Sequence, residues 1–125
     1  MNKNKKPLVV KSELIVMVDV DDTLLKWQGD FSKPAKDRIK LIDPYDKSHV
    51  YLLPHKKHVK LLKDYKARHF KVIVWSGAGW KWAQEAIKKL KLTKYVDVIL
   101  SKPAKYMDDL HAPDILGSRV YLEDK

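Results

Sequence analysis

The side chains in this sequence best suited to chemistry are acids, a serine and a lysine that occur in four short clusters. Asp and Glu carboxylates can act as nucleophiles or proton donors, and Lys and backbone N–H groups can stabilise an anion. Such a set fits reactions at a phosphoryl group. The four clusters are Asp19 with Asp21, Ser76 with Gly77 and Ala78, Lys102, and Asp108 with Asp109.

Hydrolysis of a phosphate ester needs a nucleophile, a proton donor for the leaving oxygen and positive charge near the phosphoryl oxygens, because the unaided barrier is ~20 kcal/mol or more too high. Asp19 and Asp21 can supply the first two, with Asp21 protonating the leaving group and later activating water. Lys102 offsets negative charge. Ser76 and the main-chain N–H groups that follow it, at a helix N-terminus, offer a cradle for an anion.

Two neighbouring carboxylates would repel an anionic substrate, and a divalent cation removes that repulsion. Mg²⁺ prefers hard oxygen ligands and keeps several waters. We therefore expect a Mg²⁺ site made from the Asp19 carboxylate, the main-chain carbonyl of Asp21 and a carboxylate of Asp108 or Asp109; the sequence leaves open which of the last two contacts the metal.

These clusters require a scaffold that brings them together, and the pattern predicts a parallel sheet. Three β-branched apolar runs, at residues 13–20, 71–75 and 96–100, read as buried strands, the first of them central. Tyr106–Met107 is expected to form a short fourth strand and residues 120–122 an edge strand. Each chemical cluster directly follows one of the first four strands, and parallel sheets gather chemistry outside the carboxyl ends of their strands.

The intervening segments predict helices and one hairpin. Helices are expected from Pro54 to about Arg68 and from about Trp80 to Leu90, which gives β–α–β units and an α/β fold. Residues 38–54 alternate around the turn Pro44–Ser48 and predict a β-hairpin. We expect one domain over residues 1–125, since neither a repeat nor a linker divides the chain.

The segment Asp19-Val20-Asp21-Asp22-Thr23 resembles the DxDxT signature of the haloacid dehalogenase superfamily of phosphohydrolases. A strand ending in Ser76, then Lys102, then Asp108-Asp109 follow in that family's order, so the resemblance covers residues 13–110. It implies a Rossmann-like sheet, magnesium dependence and an aspartyl-phosphate intermediate. By the same resemblance Asp19 is the nucleophile, Asp21 the acid/base, and Thr23 shapes the phosphate-binding loop.

The resemblance further implies that Ser76 binds phosphate, Lys102 stabilises charge, with Lys105 as its rival, and Asp108 and Asp109 hold the metal. One departure is the lack of room for a large cap domain. Only the hairpin at 38–54 can serve as a flap, which is similar to capless members. Open sites of that kind suit bulky substrates or take a lid from a neighbouring subunit. The sequence therefore does not decide whether the protein is an oligomer.

The net charge and the composition restrict the classes of partner that this chain is expected to bind. The net charge is +10, which favours polyanionic partners, although lysines at helical spacing are usually a solvated helix face. Nucleotides or phosphorylated nucleic-acid ends are the first expectation for the substrate, with a phosphoprotein or a small sugar phosphate as alternatives. Trp27 and Trp80 are candidates for stacking on a base. We expect neither a signal peptide nor a membrane span, hence a cytoplasmic protein; the absence of Cys excludes disulfides.

Two other functions compete with a phosphatase. A receiver domain of a signalling relay has similar length, but the expected phospho-acceptor acid is missing where the candidate strands end in Leu53-Pro54 or Trp75-Ser76. A non-catalytic nucleic-acid or phosphate-binding module on the same scaffold fits the basic charge. The substitution Asp19→Asn distinguishes the two functions. It should abolish turnover in an enzyme, but it should leave the affinity of a pure binding module unchanged or improved.

Overall fold

The protein is a mixed α/β structure with two small sheets; the structure, a computed structural model, describes residues 6–120. The first sheet is parallel, with the order β1 (Ile15–Asp19), β5 (Lys71–Ser76), β6 (Val98–Ser101). The second is antiparallel, with the order β2 (Leu25–Lys26), β4 (His49–Pro54), β3 (Ile39–Ile42). Helices α1 (Lys56–Ala67) and α2 (Trp80–Lys89) connect the parallel strands, and α3 (Ala112–Ile115) is short.

The parallel sheet confirms the general α/β prediction, but its strand order differs from the expected one. β5 lies in the middle, and its apolar run is buried almost throughout, because both β1 and β6 pair with it. The prediction that the first strand is central was wrong for the sheet formed by the described residues. Continuous apolar character does not distinguish a central strand from an edge strand that is covered by other elements.

The prediction of a fourth strand at Tyr106–Met107 was also wrong, since residues 102–110 form neither helix nor strand. Both side chains are exposed there, so nothing in the described structure buries the apolar pair that suggested a strand. The possible edge strand at 120–122 lies largely outside the described residues.

The hairpin was predicted correctly and belongs to the hydrophobic core. β3 pairs with β4 in the register Ile39↔Leu52 to Ile42↔His49, around a turn at residues 43–48. Leu41 and Leu52 are fully buried and pack in the same cluster as Leu24 and Ala83. Next to the turn, Ile42 N donates a hydrogen bond of 2.9 Å to Glu85 Oε2 of α2.

Helix α1 begins later than expected. Pro54 ends β4, and His55 is the residue that caps the helix: its Nδ1 accepts a hydrogen bond from His58 N. Predicted and observed ends of α2 agree within one residue. Its buried side chains (Trp82, Ala83, Ala86, Ile87) form one face, as the helical period requires.

Asp97 stabilises the segment that leads into β6. Its carboxylate accepts hydrogen bonds from Lys66 Nζ (2.7 Å) and Val72 N (2.8 Å), and its own N–H donates to Val72 O (2.9 Å). Partial burial raises the pKa of Asp97, but these hydrogen bonds and the charges of Lys66 and Lys71 outweigh it, so that the pKa lies below its ordinary value. The ionised carboxylate therefore stabilises the fold.

None of the helices within residues 6–120 combines the length and the apolar character needed to cross a membrane.

Candidate active site

The carboxyl ends of the three parallel strands carry the predicted chemical residues side by side. Asp19 ends β1 opposite Trp75, Ser76 ends β5 opposite Ser101, and Lys102 follows Ser101 directly. Lys102 N also donates a hydrogen bond of 2.9 Å to Ser76 O. Register alone thus places three of the four predicted clusters at one edge of the sheet.

The Asp19 carboxylate is held by a hydroxyl and an ammonium group on different oxygens. Thr23 Oγ1 donates to Asp19 Oδ2 at 3.0 Å, and Lys102 Nζ lies 3.1 Å from Asp19 Oδ1. The Asp19 side chain is 32% exposed and that of Lys102 42%, so both can be reached from solvent. A lysine predicted from its place in the sequence thus contacts the predicted nucleophile.

The loop after β1 is wound tightly around one carbonyl group. Val20 O accepts hydrogen bonds from the N–H groups of Thr23, Leu24 and Leu25 at 2.8–3.2 Å. Asp22 has a φ of +57°, a left-handed conformation that Asp tolerates better than most residues. Its Oδ1 accepts from Trp27 N at 3.1 Å, which gives Asp22 a role in holding the loop.

Helix α1 supports this loop from the other side. His58 Nδ1 lies 2.7 Å from Thr23 O, and His55 N donates to Leu24 O at 2.9 Å. Neither of these contacts with the loop was predictable from local sequence patterns. Two residues of α1's first turn and cap therefore fix the backbone that carries Thr23.

Asp21 is held by two tryptophan side chains from different parts of the chain. Trp27 Nε1 donates to Asp21 Oδ1 at 2.8 Å, and Trp82 Nε1 donates to the same oxygen at 3.0 Å. The two indole rings are 6.1 Å apart between centroids. Trp82 lies on the buried face of α2 and is 4% exposed. A buried indole needs an acceptor for its N–H. A tryptophan on the apolar face of a helix was therefore the one feature of the sequence that could have predicted a contact of this kind.

The Ser76 loop differs in detail from the predicted anion cradle. Ser76 is 1% exposed, and its Oγ accepts the N–H of Ala78 at 3.0 Å. The N–H of Ala78 is therefore engaged within the loop, whereas Gly77 is exposed. Gly79, with a φ of +105°, caps α2, and Ser101 Oγ accepts the N–H of Trp80 at 2.9 Å. Ser101, which sequence reasoning missed, thus satisfies one N–H of the first turn of α2.

Asp108 and Asp109 do not join the other acids in the structure. Both lie in an exposed irregular segment, and Asp108 Oδ1 accepts the N–H of Leu110 at 2.9 Å. Among residues 6–120, no three Asp, Glu or His side chains are grouped so that they could hold a metal ion. The metal role of this pair stays a prediction, as does that of Asp19 and Asp21.

Comparison with known proteins adds no assignment. Neither a protein-family model, nor a characterised protein, nor a solved structure matches the chain. The function must therefore be inferred from the residues of the site and their geometry.

Proposed function

We propose that the chain is a phosphomonoester hydrolase of the haloacid dehalogenase type, in which Asp19 is the nucleophile. The observation that carries this proposal is the contact of 3.1 Å between Lys102 Nζ and Asp19 Oδ1, with Thr23 on the other carboxylate oxygen. A lysine that contacts the attacking carboxylate is also placed to stabilise the phosphoryl oxygens that approach it.

The reaction has two steps. A carboxylate oxygen of Asp19 attacks phosphorus, the bond from phosphorus to the ester oxygen breaks, and Asp21 gives that oxygen a proton. Asp21 then takes a proton from water as the water attacks the aspartyl phosphate, which releases inorganic phosphate and restores Asp19. Both indoles donate to Asp21 Oδ1, so Oδ2 is the oxygen left to carry the proton.

We include magnesium in the proposal only because the oxygen donors present are of the chemical type that this ion binds. The Asp19 carboxylate and the Asp21 carbonyl are hard oxygen donors of the kind that Mg²⁺ binds, and the third protein donor would come from Asp108 or Asp109. That third donor is not assembled in the structure, so the fit is incomplete. A bound Mg²⁺ would supply positive charge to the phosphoryl oxygens.

The substrate class proposed is a nucleotide or a phosphorylated nucleic-acid end. The net charge of +10 supports an anionic partner. Trp80 is 48% exposed beside the Ser76 loop and remains a candidate for stacking on a base. Trp27 is partly buried, and its N–H is directed to Asp21, which leaves it less free for that role.

Phosphate release with and without Mg²⁺ tests the proposal, over a panel of an aryl phosphate, nucleoside monophosphates, 3′- and 5′-phosphorylated oligonucleotides and sugar phosphates. Asp19→Asn should abolish release, whereas Asp37→Asn, a change of the same kind at an exposed acid, should leave it unchanged. Lys102→Gln should lower kcat by about 100-fold, the usual effect of losing one charge-stabilising group, and Lys105→Gln should not.

Two results would refute the enzyme. One is release that persists in Asp19→Asn at the wild-type rate. The other is no release from any substrate by a folded protein that still binds oligonucleotides, which would favour the non-catalytic binding module instead.

A further inference from the structure

A basic groove is lined by residues other than those of the candidate site. It has a volume of about 440 Å³ and is formed by parts of β3, the end of β4, α1 and the residues at the end of α2. Its apolar lining includes Val59 and Leu90. Among residues 6–120 no acidic side chain lines it, and the charged ones that do are five lysines: Lys56, Lys60, Lys63, Lys89 and Lys91.

The lysines converge from separate segments, which distinguishes the groove from a single solvated helix face. Lys56, Lys60 and Lys63 follow at intervals of four and three residues, so they share one face of α1 and span about 10 Å. Lys89 and Lys91 come from the end of α2. Two segments distant in the sequence thus contribute positive charge to the same groove.

Neighbouring groups neutralise part of this charge. Lys60 pairs with Asp64 and Lys89 with Glu85, each at 3.3 Å. The first pair is exposed and of the kind that is weak in water, whereas the second is partly buried. Lys63 Nζ lies 5.1 Å from the centre of the Tyr95 ring, which leaves its charge in place. Even with Asp64 and Glu85 counted, the positive charges exceed the negative ones.

The occupant that complements this groove is a chain of regularly spaced negative charges. The phosphates of one strand are about 3.4 Å apart along the axis of a stacked helix, so the lysines of α1, spread over about 10 Å, can accompany two or three of them. A nucleic-acid strand also has apolar base and sugar surface to place against Val59 and Leu90. An acidic peptide offers the charge with less of that surface.

We propose that this groove binds the sugar–phosphate backbone of a nucleic-acid strand, as a site separate from the one around Asp19. Contacts to phosphates would supply most of the affinity, and they would give it little dependence on base sequence.

Binding can be tested without assuming catalysis. The anisotropy of fluorescein-labelled single-stranded 12-mers of DNA and RNA is measured with the full chain at several salt concentrations. We expect the logarithm of the binding constant to fall linearly with the logarithm of salt, with a slope near −2 to −4 for about three to five contacts. Asp19→Asn should bind as tightly as the wild type, which separates this proposal from the proposed function.

Lys91→Gly is the most informative variant. Lys91 has a φ of +60° directly after α2, where glycine is common, so the change removes a charge while relieving backbone strain. We expect about eightfold weaker binding at 50 mM salt, the effect of one lost phosphate contact. Lys47→Gly is the matched control: it has a φ of +66° in the hairpin turn and does not line the groove.

Lys56→Glu is a second variant that should fold, because an acid in the first turn of α1 is favourable to the helix. It should weaken binding more than Lys91→Gly does. The proposal is overturned if Lys47→Gly weakens binding as much as Lys91→Gly, if binding does not depend on salt, or if polyglutamate competes as well as an unlabelled oligonucleotide of equal charge.

Discussion

Trp82→Phe removes one of the two N–H groups that hold Asp21. The hydrogen bond of 3.0 Å from Trp82 Nε1 is made to a carboxylate, and bonds to charged groups contribute about 1.5–3 kcal/mol. Unfolding entropy of about 2.1 cal/mol/K per residue gives about 0.26 kcal/mol/K for 125 residues. The expected loss in Tm is therefore about 6–12 °C, before any cost of the smaller ring.

Trp80→Phe is the control for this experiment, because it makes the same chemical change two residues earlier in α2. Trp80 is 48% exposed, so its substitution should change stability by no more than about 0.5 kcal/mol, or about 2 °C. Thermal unfolding followed by circular dichroism compares the two variants directly.

A double-mutant cycle identifies the cause of the loss. In an Asp21→Ala background Trp82 has no carboxylate to bind, so Trp82→Phe should cost at least about 1 kcal/mol less than in the wild type. Equal costs in both backgrounds would show that only packing is lost. The same conclusion would follow if Trp82→Phe were no more destabilising than Trp80→Phe, and the reasoning about Asp21 would then be refuted.

Three further changes test the fold. Asp97→Asn should lower the free energy of unfolding by about 1–2 kcal/mol at pH 7. The pKa of Asp97 is lowered in the folded state, so its contribution to the free energy of unfolding is present above the unfolded pKa of about 3.9 and is lost as pH falls through the folded pKa. Urea unfolding at pH 7 and pH 3 should therefore show a smaller decline in the free energy of unfolding for the variant than for the wild type. Gly79→Ala should lower Tm, since Gly79 has a φ of +105°, a conformation that side-chain-bearing residues rarely adopt, whereas the exposed Tyr45 side chain beside it can move away. Gly77→Ala, where a Cβ meets no described atom within 4 Å, should leave Tm nearly unchanged. Leu62→Ala should cost about 2–5 kcal/mol in urea unfolding, because Leu62 is 2% exposed, and a cost below 1 kcal/mol would contradict its place in the core.

Patterns that depend on local spacing were predictable from the sequence. The hairpin, α2 and the strand that ends at Ser76 follow from alternation, helical period and a β-branched run, each of which acts over a few residues. The closeness of Asp19 and Lys102 was predictable for a different reason: Asp19 ends one strand of the parallel sheet and Lys102 directly follows another, and the carboxyl ends of such strands meet at one edge.

Features set by contacts between distant segments were not predictable. The order of the strands depends on which edges pair, and apolar character is the same in either arrangement. The two indoles on Asp21 come from residues 27 and 82, and only the need of a buried N–H for an acceptor hinted at such a contact. The lysine groove likewise depends on the fold bringing α1 and the end of α2, which are distant in the sequence, to the same groove.

The four tryptophans lie around the proposed site, which has a practical consequence. Trp27 and Trp82 bind Asp21, Lys102 Nζ lies 5.9 Å from the centre of the Trp75 ring, and Trp80 follows the Ser76 loop. Indole emission responds to nearby charge and water. The intrinsic fluorescence of the unlabelled protein should therefore report on events at this site. Replacing Trp27, Trp75 and Trp82 one at a time would assign the signal to the surroundings of Asp21 or of Lys102.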